Sequence, residues 1–241
     1  MIDSEIHSRR IVFFDLVGTL VRGIKPIGQQ YADWIRRFGV EPDPDRLDAA
    51  FHQAMAAAPP VAFPGRSFDE TAALEREWWA GLVRDVVRRA GLTDALTGVT
   101  FERFFAAVYD HFTTAAAWEL YPDVLPALTR LRGRGAVLGL ITNYDTRVFP
   151  VLDALGLTAM LSAVVIPAHV GAAKPDRAIF AHALVELGAD AADAVHVGDD
   201  IDDDYRGATA AGLQAVLLDR HGRHRGEAGV RRIESLAELC P

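Results

Sequence analysis

The chain has 241 residues, half of them apolar and 24 % charged, and carries a formal net charge of −8. Its length suits one large domain or two modest ones, and its acidity excludes the broad cationic face that nucleic-acid binding needs. Cys240 is the only cysteine, which excludes an internal disulfide; no apolar run approaches the roughly 18 residues of a membrane span, and MIDSEIHSRR lacks the apolar stretch of a secretion signal, so a cytoplasmic protein without membrane contact is expected.

In chain order, the first predicted element is the apolar run 11–16 (IVFFDL). Residues 22–117 then show helical patterns at 27–38, 45–57, 68–90 and 101–116, punctuated by prolines, and no convincing strand. Beyond them, apolar runs at 136–141, 162–166, 194–198 and 213–218 alternate with helix-like segments at 123–134, 146–155, 177–187 and 204–212. Such runs have the texture of parallel strands buried on both faces. The alternation predicts an α/β fold, a doubly wound parallel sheet with a Rossmann-like core. The core domain is expected over 1–21 and 118–241, with an all-helical cap domain inserted over 22–117. Residues 219–229 read as a charged surface loop and 234–239 as a short final helix.

Four predicted strand ends carry chemistry. Asp15 leaves the first strand at the carboxyl edge, where open α/β sheets bind ligands; Gly18 permits a sharp turn and Thr19 can fix the loop by a hydrogen bond. In LITNYD, Thr142 and Asn143 supply a hydroxyl and an amide suited to phosphate oxygens. Lys174 in GAAKPDRAIF precedes a Pro-initiated helix; it and Lys25 are the only lysines among 25 basic residues, which marks a site wanting a compact ammonium. In HVGDDIDDDYRGATAAG, Asp199 ends a further strand, followed by Asp200, Asp202, Asp203 and Asp204. Carboxylates so dense repel one another without a cation, and oxygen ligation favours Mg2+.

The ordered set D-x-x-G-T-L, T-N, K-P-D and G-D-x-x-x-x-D-x-x-G-A-x-x-A-G resembles the haloacid dehalogenase-like hydrolase superfamily over roughly 9–21 and 118–235. The first motif as D-x-V-G-T, with G-A-A-K-P-D, is similar to a branch of its subfamily IA, and the helical insert resembles that family's cap. The resemblance implies a nucleophilic Asp15 that forms an aspartyl-phosphate. It implies Mg2+ held by Asp15, the Val17 backbone carbonyl and Asp199, with Asp204 or Asp203 acting through water or orienting Lys174. Thr142 and Asn143 would hold the phosphoryl oxygens, Lys174 would neutralise Asp15 and the phosphoryl group, and Gly18 and Thr19 would shape the substrate loop.

The departure lies at Val17. Phosphatases of the family usually place there an aspartate that protonates the leaving oxygen, help worth about 10² to 10⁴ in rate. Aryl, acyl and anhydride phosphates leave without a proton and would feel the loss least. The family's dehalogenases lack that aspartate too, but need no metal, which the acidic run after Gly198 argues against. Its phosphonatases use a cap lysine, whereas Lys25 falls in the linker. The expected function is therefore a Mg2+-dependent phosphatase of small phosphorylated metabolites, monomeric or homodimeric. A metal-independent 2-haloacid dehalogenase and a catalytically impaired phosphate-binding protein stay open as alternatives. Trp78 and Trp79 read as cap core or cap–core contact, His196 as a buried strand histidine, and Arg22 and Arg66 as candidates to meet a substrate anion.

Overall fold

The computed structural model describes residues 11–239; Cys240 and the MIDSEIHSRR segment lie outside the described residues. Six strands, β1 (Ile11–Phe14), β4 (Val137–Ile141), β5 (Ala163–Val165), β6 (Ala194–Gly198), β7 (Gln214–Leu218) and β8 (Arg232–Ile233), form a parallel sheet in the order β5-β4-β1-β6-β7-β8. Alternation along β1 explains its burial on both faces. Val12 and Phe14 pack with Leu138, Leu140 and Val197 under helices α5 (Val124–Gly133) and α6 (Val148–Ala154). Ile11 and Phe13 pack on the other face against Phe180 and Ala183 of α8 (Arg177–Glu186).

The register positions the site. Phe14 pairs with Leu140 of β4 and with Val197 of β6, so three neighbouring strands end within one residue of one another. The residues that follow them, Asp15, Thr142 and Asp199, therefore emerge side by side at the carboxyl edge.

Between residues 23 and 118 the chain makes four α-helices, α1 (Ile27–Ile35), α2 (Pro44–Ala57), α3 (Phe68–Arg89) and α4 (Gly98–His111). They share a core of their own around Tyr31, Ile35, Leu47, Val86 and Phe104, distinct from the two layers on the sheet. Local signals set their starts. Asp43 caps α2 by accepting from the amides of Asp45 and Arg46 at 3.0 and 3.3 Å, with Pro44 at the first helical position. Glu70 reaches back to the Ser67 amide at 2.8 Å at the head of α3.

Three expectations are corrected. The insert is not free of strand: β2 (Val21–Gly23) pairs antiparallel with β3 (Trp118–Leu120), Arg22 opposite Glu119, and this ribbon carries the chain out to the helices and back. The helix after Pro175 is not initiated by that proline; Asp176 caps it, accepting from the Ala178 amide at 2.9 Å, and the helix begins at Arg177. The helix expected over 204–212 opens instead as a π-helical turn, Ile201–Arg206, which continues into α9 (Gly207–Ala210). A short helix, α7 (Pro167–Val170), was not expected at all.

Candidate active site

Asp15, Thr142, Lys174 and Asp204 are all buried, Lys174 at 4 % exposure. The Lys174 Nζ donates to Asp15 Oδ1 at 2.7 Å and to Asp204 Oδ1 at 2.5 Å. An ammonium between two carboxylates settles its own protonation. Burial works against the charge, but Asp15 and Asp204 hold Lys174 well above the usual lysine range. Asp204 is likewise fixed as an anion: burial opposes it, while Lys174 and His196 hold it below the usual carboxylate range. Its Oδ1 also accepts from His196 Nε2 at 2.9 Å and its Oδ2 from the Asp200 amide at 3.1 Å. His196 is thus a buried strand residue, as read from the sequence, and it also braces the aspartate that holds the lysine.

Asp15 faces the opposite balance. Burial pushes its carboxyl up, Lys174 pulls it down, and the Asp204 charge adds to the rise. Asp199 stands nearby, accepting from Thr19 Oγ1 at 3.2 Å, and is pushed up to about 7 by burial and by the charges of Asp15 and Asp204. Asp15, Asp199 and Asp204 each offer an oxygen within 4.8 Å of the others. Asp15 and Asp199, each raised by burial and by neighbouring carboxylates around a common space, form a hard-oxygen donor set that fits a divalent cation. Asp204 has its oxygens committed to Lys174, His196 and the Asp200 amide, so Asp15 and Asp199 are the carboxylates with capacity for direct ligation.

The loop after β1 depends on Gly18. Its φ is +90°, and a Cβ placed there would lie 2.2 Å from Asp199 Oδ2. Only glycine allows both the turn and the close approach of Asp199. Gly198 is constrained in the same way, since a Cβ there would lie 2.1 Å from Asp204 Cγ.

Asn143 works as a strut. Its Oδ1 accepts from the Lys174 amide at 2.7 Å, and its Nδ2 donates to the Lys174 carbonyl at 3.0 Å and to Asp203 Oδ2 at 3.1 Å. The side chain therefore ties the β4 end to the lysine loop and to the π-helical turn. Asp203 is pushed up to about 6, by burial and then by Asp200. Thr142 turns its Oγ1 toward the Tyr144 amide at 3.4 Å.

Asp15, Val17, Thr142, Asn143, Lys174, Asp199, Asp203 and Asp204 line one cleft of about 950 Å3 between sheet edge and helices. Val17 is 41 % exposed. Lys25 and Arg22 also border the cleft but pair with Asp33 at 2.7 Å and Glu119 at 2.8 Å. Arg66 sits 3.9 Å from Glu70 at the head of α3.

Sequence reasoning missed a second buried cluster beside this site. Arg147 is bonded to Asp145 through Nε and Nη2, the latter at 2.5 Å, both residues being buried. Trp79 of α3 donates its indole N–H to Asp145 Oδ2 at 2.5 Å, and Glu75 of α3 accepts from the Thr146 amide at 3.1 Å and hydroxyl at 2.5 Å. Trp79 is thus a cap–core contact, and Trp78 stays within the cap, donating to the Pro59 carbonyl at 3.1 Å. Asp145 and Arg147 stand two and four residues after Asn143 in the chain, and that proximity is their only sequence signal.

A family model described as haloacid dehalogenase-like hydrolase matches residues 10–212. The chain belongs to that hydrolase family. It is 31 % identical over 211 residues to haloacid dehalogenase-like hydrolase domain-containing protein 3 of Mus musculus, covering 87 % of this chain and 81 % of that one. It is 31 % identical over 226 residues to a phosphoserine phosphatase of Thermus thermophilus, covering 88 % and 89 %. Among solved structures, a 2-haloacid dehalogenase of Pseudomonas syringae superposes with a TM-score of 0.64 at 26 % identity, over 96 % of both chains. Haloacid dehalogenase-like hydrolases with either leaving group thus share this architecture, and the choice between them rests on the site.

Proposed function

We propose that this hydrolase is a Mg2+-dependent phosphohydrolase of small molecules that works through an aspartyl-phosphate on Asp15, in the D-x-V-G-T branch of subfamily IA. The helical cap is taken as residues 22–117 and the core as 1–21 with 118–241. The observation that carries the reading is the acidic cluster of Asp15, Asp199 and Asp204 around one space. A dehalogenase that needs no metal has no use for three carboxylates gathered round one space.

Asp15, Asp199 and the Val17 carbonyl would hold the ion, which when bound supplies positive charge to a phosphoryl dianion and relieves the repulsion between the two carboxylates. Asp15 attacks phosphorus, an O–P bond forms on its carboxylate, and the bond to the leaving oxygen breaks with its electron pair. Lys174, held against Asp15 by Asp204 and His196, neutralises charge throughout this transfer and has no proton to lose at neutral pH. Thr142 and the Asn143 backbone orient the phosphoryl oxygens. Water then cleaves the acyl phosphate and restores Asp15. Val17 can neither give the leaving oxygen a proton nor take one from that water, so activated phosphates are the favoured substrates.

The test is turnover of phenyl and acetyl phosphate with and without Mg2+, in wild type and Asp15→Asn. Release of phosphate that needs both Asp15 and Mg2+ supports the reading. Halide release from 2-haloacids in chelator, with no phosphate release, replaces it by the dehalogenase.

A further inference from the structure

The cleft that holds the carboxylates is also lined by exposed apolar side chains. Three of the large apolar side chains that the fold leaves exposed, Val17 at 41 %, Ile24 at 44 % and Met55 at 39 %, all border this one cleft. Apolar surface left open to water at a ligand site marks what the ligand presents. Beyond them the cleft shares Phe51, Trp79, Phe112 and Trp118 with a smaller recess of about 60 Å3 that runs into the cap. Tyr31, Val83 and Val108 form the far end of that recess, and all three are buried.

The recess carries no free charge. The guanidinium of Arg147 reaches its wall, but Asp145 binds it through two nitrogens, and the rings of Tyr109 and Trp79 lie 4.1 and 4.7 Å from it. An anionic or ammonium group entering there would lose its water and find no unpaired partner. An uncharged apolar group would exchange water for aromatic faces and edges. At about 60 Å3 the recess has under half the roughly 150 Å3 of a cavity that takes a benzene ring, so it admits a short alkyl end but not a second ring.

We infer that the leaving group of the substrate is a phenol bearing a short alkyl substituent, its ring lying along Val17, Phe51 and Trp118 and its alkyl end seated in the recess between Tyr31, Val83 and Val108. This rests on the phosphohydrolase reading and gives the valine a positive role. An aspartate at position 17 would set a carboxylate against the ring. A phenol has a pKa of about 10, against about 15.7 for water and its like, so its oxygen departs as phenolate. The O–P bond to Asp15 forms, the P–O bond to the ring breaks with its electron pair, and the proton is taken up later from solvent.

The experiment compares kcat/KM for phenyl, 4-ethylphenyl and 4-tert-butylphenyl phosphate, each divided by that for acetyl phosphate, in wild type and Val83→Phe. In wild type the ratio is expected to rise at least fivefold from phenyl to 4-ethylphenyl and to fall again at tert-butyl. Val83→Phe, which fills the recess, is expected to erase the ethyl advantage. A flat series in wild type overturns the inference, as does a series in Val83→Phe that matches wild type. If Val83→Phe does not fold by circular dichroism, the wild-type series decides alone. Should neither acetyl nor aryl phosphate turn over, the phosphohydrolase reading fails instead. Quenching of tryptophan fluorescence by 4-ethylphenol against phenol then still reads the recess: tighter binding of 4-ethylphenol upholds it, and equal or absent binding overturns it.

Discussion

Trp79 on the third cap helix donates its indole N–H to Asp145, three residues beyond Thr142 at the sheet edge, at 2.5 Å. The same carboxylate holds Arg147, and Glu75 one helical turn before Trp79 accepts from Thr146. Cap and sheet edge are therefore joined by buried polar groups rather than by apolar packing alone. Such groups resist sliding, because each misplacement leaves a charge or a donor without a partner.

Asp145→Ala leaves Arg147 buried and unpaired, and removing one member of a buried pair costs about 3–5 kcal/mol. Trp79→Phe removes one donor and is expected to cost about 1–2 kcal/mol. Urea unfolding of both variants checks the order; equal losses would mean that the ion pair is not the stronger element.

Gly18→Ala combines a strained φ of +90° with a Cβ 2.2 Å from Asp199. Asp199 must move, so Mg2+ affinity measured by calorimetry is expected to fall at least tenfold, with a smaller loss of stability. Unchanged affinity would remove Asp199 from the metal site.

Val17→Asp places a carboxylate at a position already 41 % exposed, so folding is expected to survive. Turnover of alkyl phosphates is expected to rise by about 10- to 100-fold, toward the usual value of general acid–base help, while aryl phosphates gain less. A fall on every substrate would show that the valine does more than omit a proton donor.

Much of this arrangement was legible in the sequence. Apolar runs ending in Asp15, Thr142 and Asp199 marked parallel strands, and neighbouring strand ends in the sheet place those residues together. Other parts were not. β2 and β3 have three residues each and mix Arg22 and Glu119 with apolar neighbours, so no periodicity betrays them. The π-helical turn over Ile201–Arg206 depends on Asp200 accepting from the amides of Asp202 and Asp203 at 2.8 Å, a local choice that composition does not encode. Asp145, Arg147 and Glu75 look like solvated charges in one dimension, because their burial is created by partners more than sixty residues away in the chain.

Asp123 gives a stability test outside the acidic cluster. Arg220 binds it at 2.9 and 3.0 Å, and Ser235 donates at 2.7 Å. Burial opposes its ionisation, but Arg220, Ser235 and the Leu236 amide together hold the carboxyl below its ordinary value. A depressed folded-state pKa stabilises above the unfolded value of about 3.9, and the contribution disappears as pH falls through the folded value. The destabilisation by Asp123→Asn is therefore expected to be full at pH 6 and to shrink as pH falls below about 4. A penalty that stays constant as pH falls would assign the effect to packing.

The account turns on covalent transfer to Asp15. Incubation with radiolabelled acetyl phosphate and Mg2+, quenched in acid, measures this most directly. A hydroxylamine-labile label is predicted on the peptide containing Asp15, absent in Asp15→Asn and absent in chelator. Turnover without any such label, or a label that survives Asp15→Asn, would contradict it.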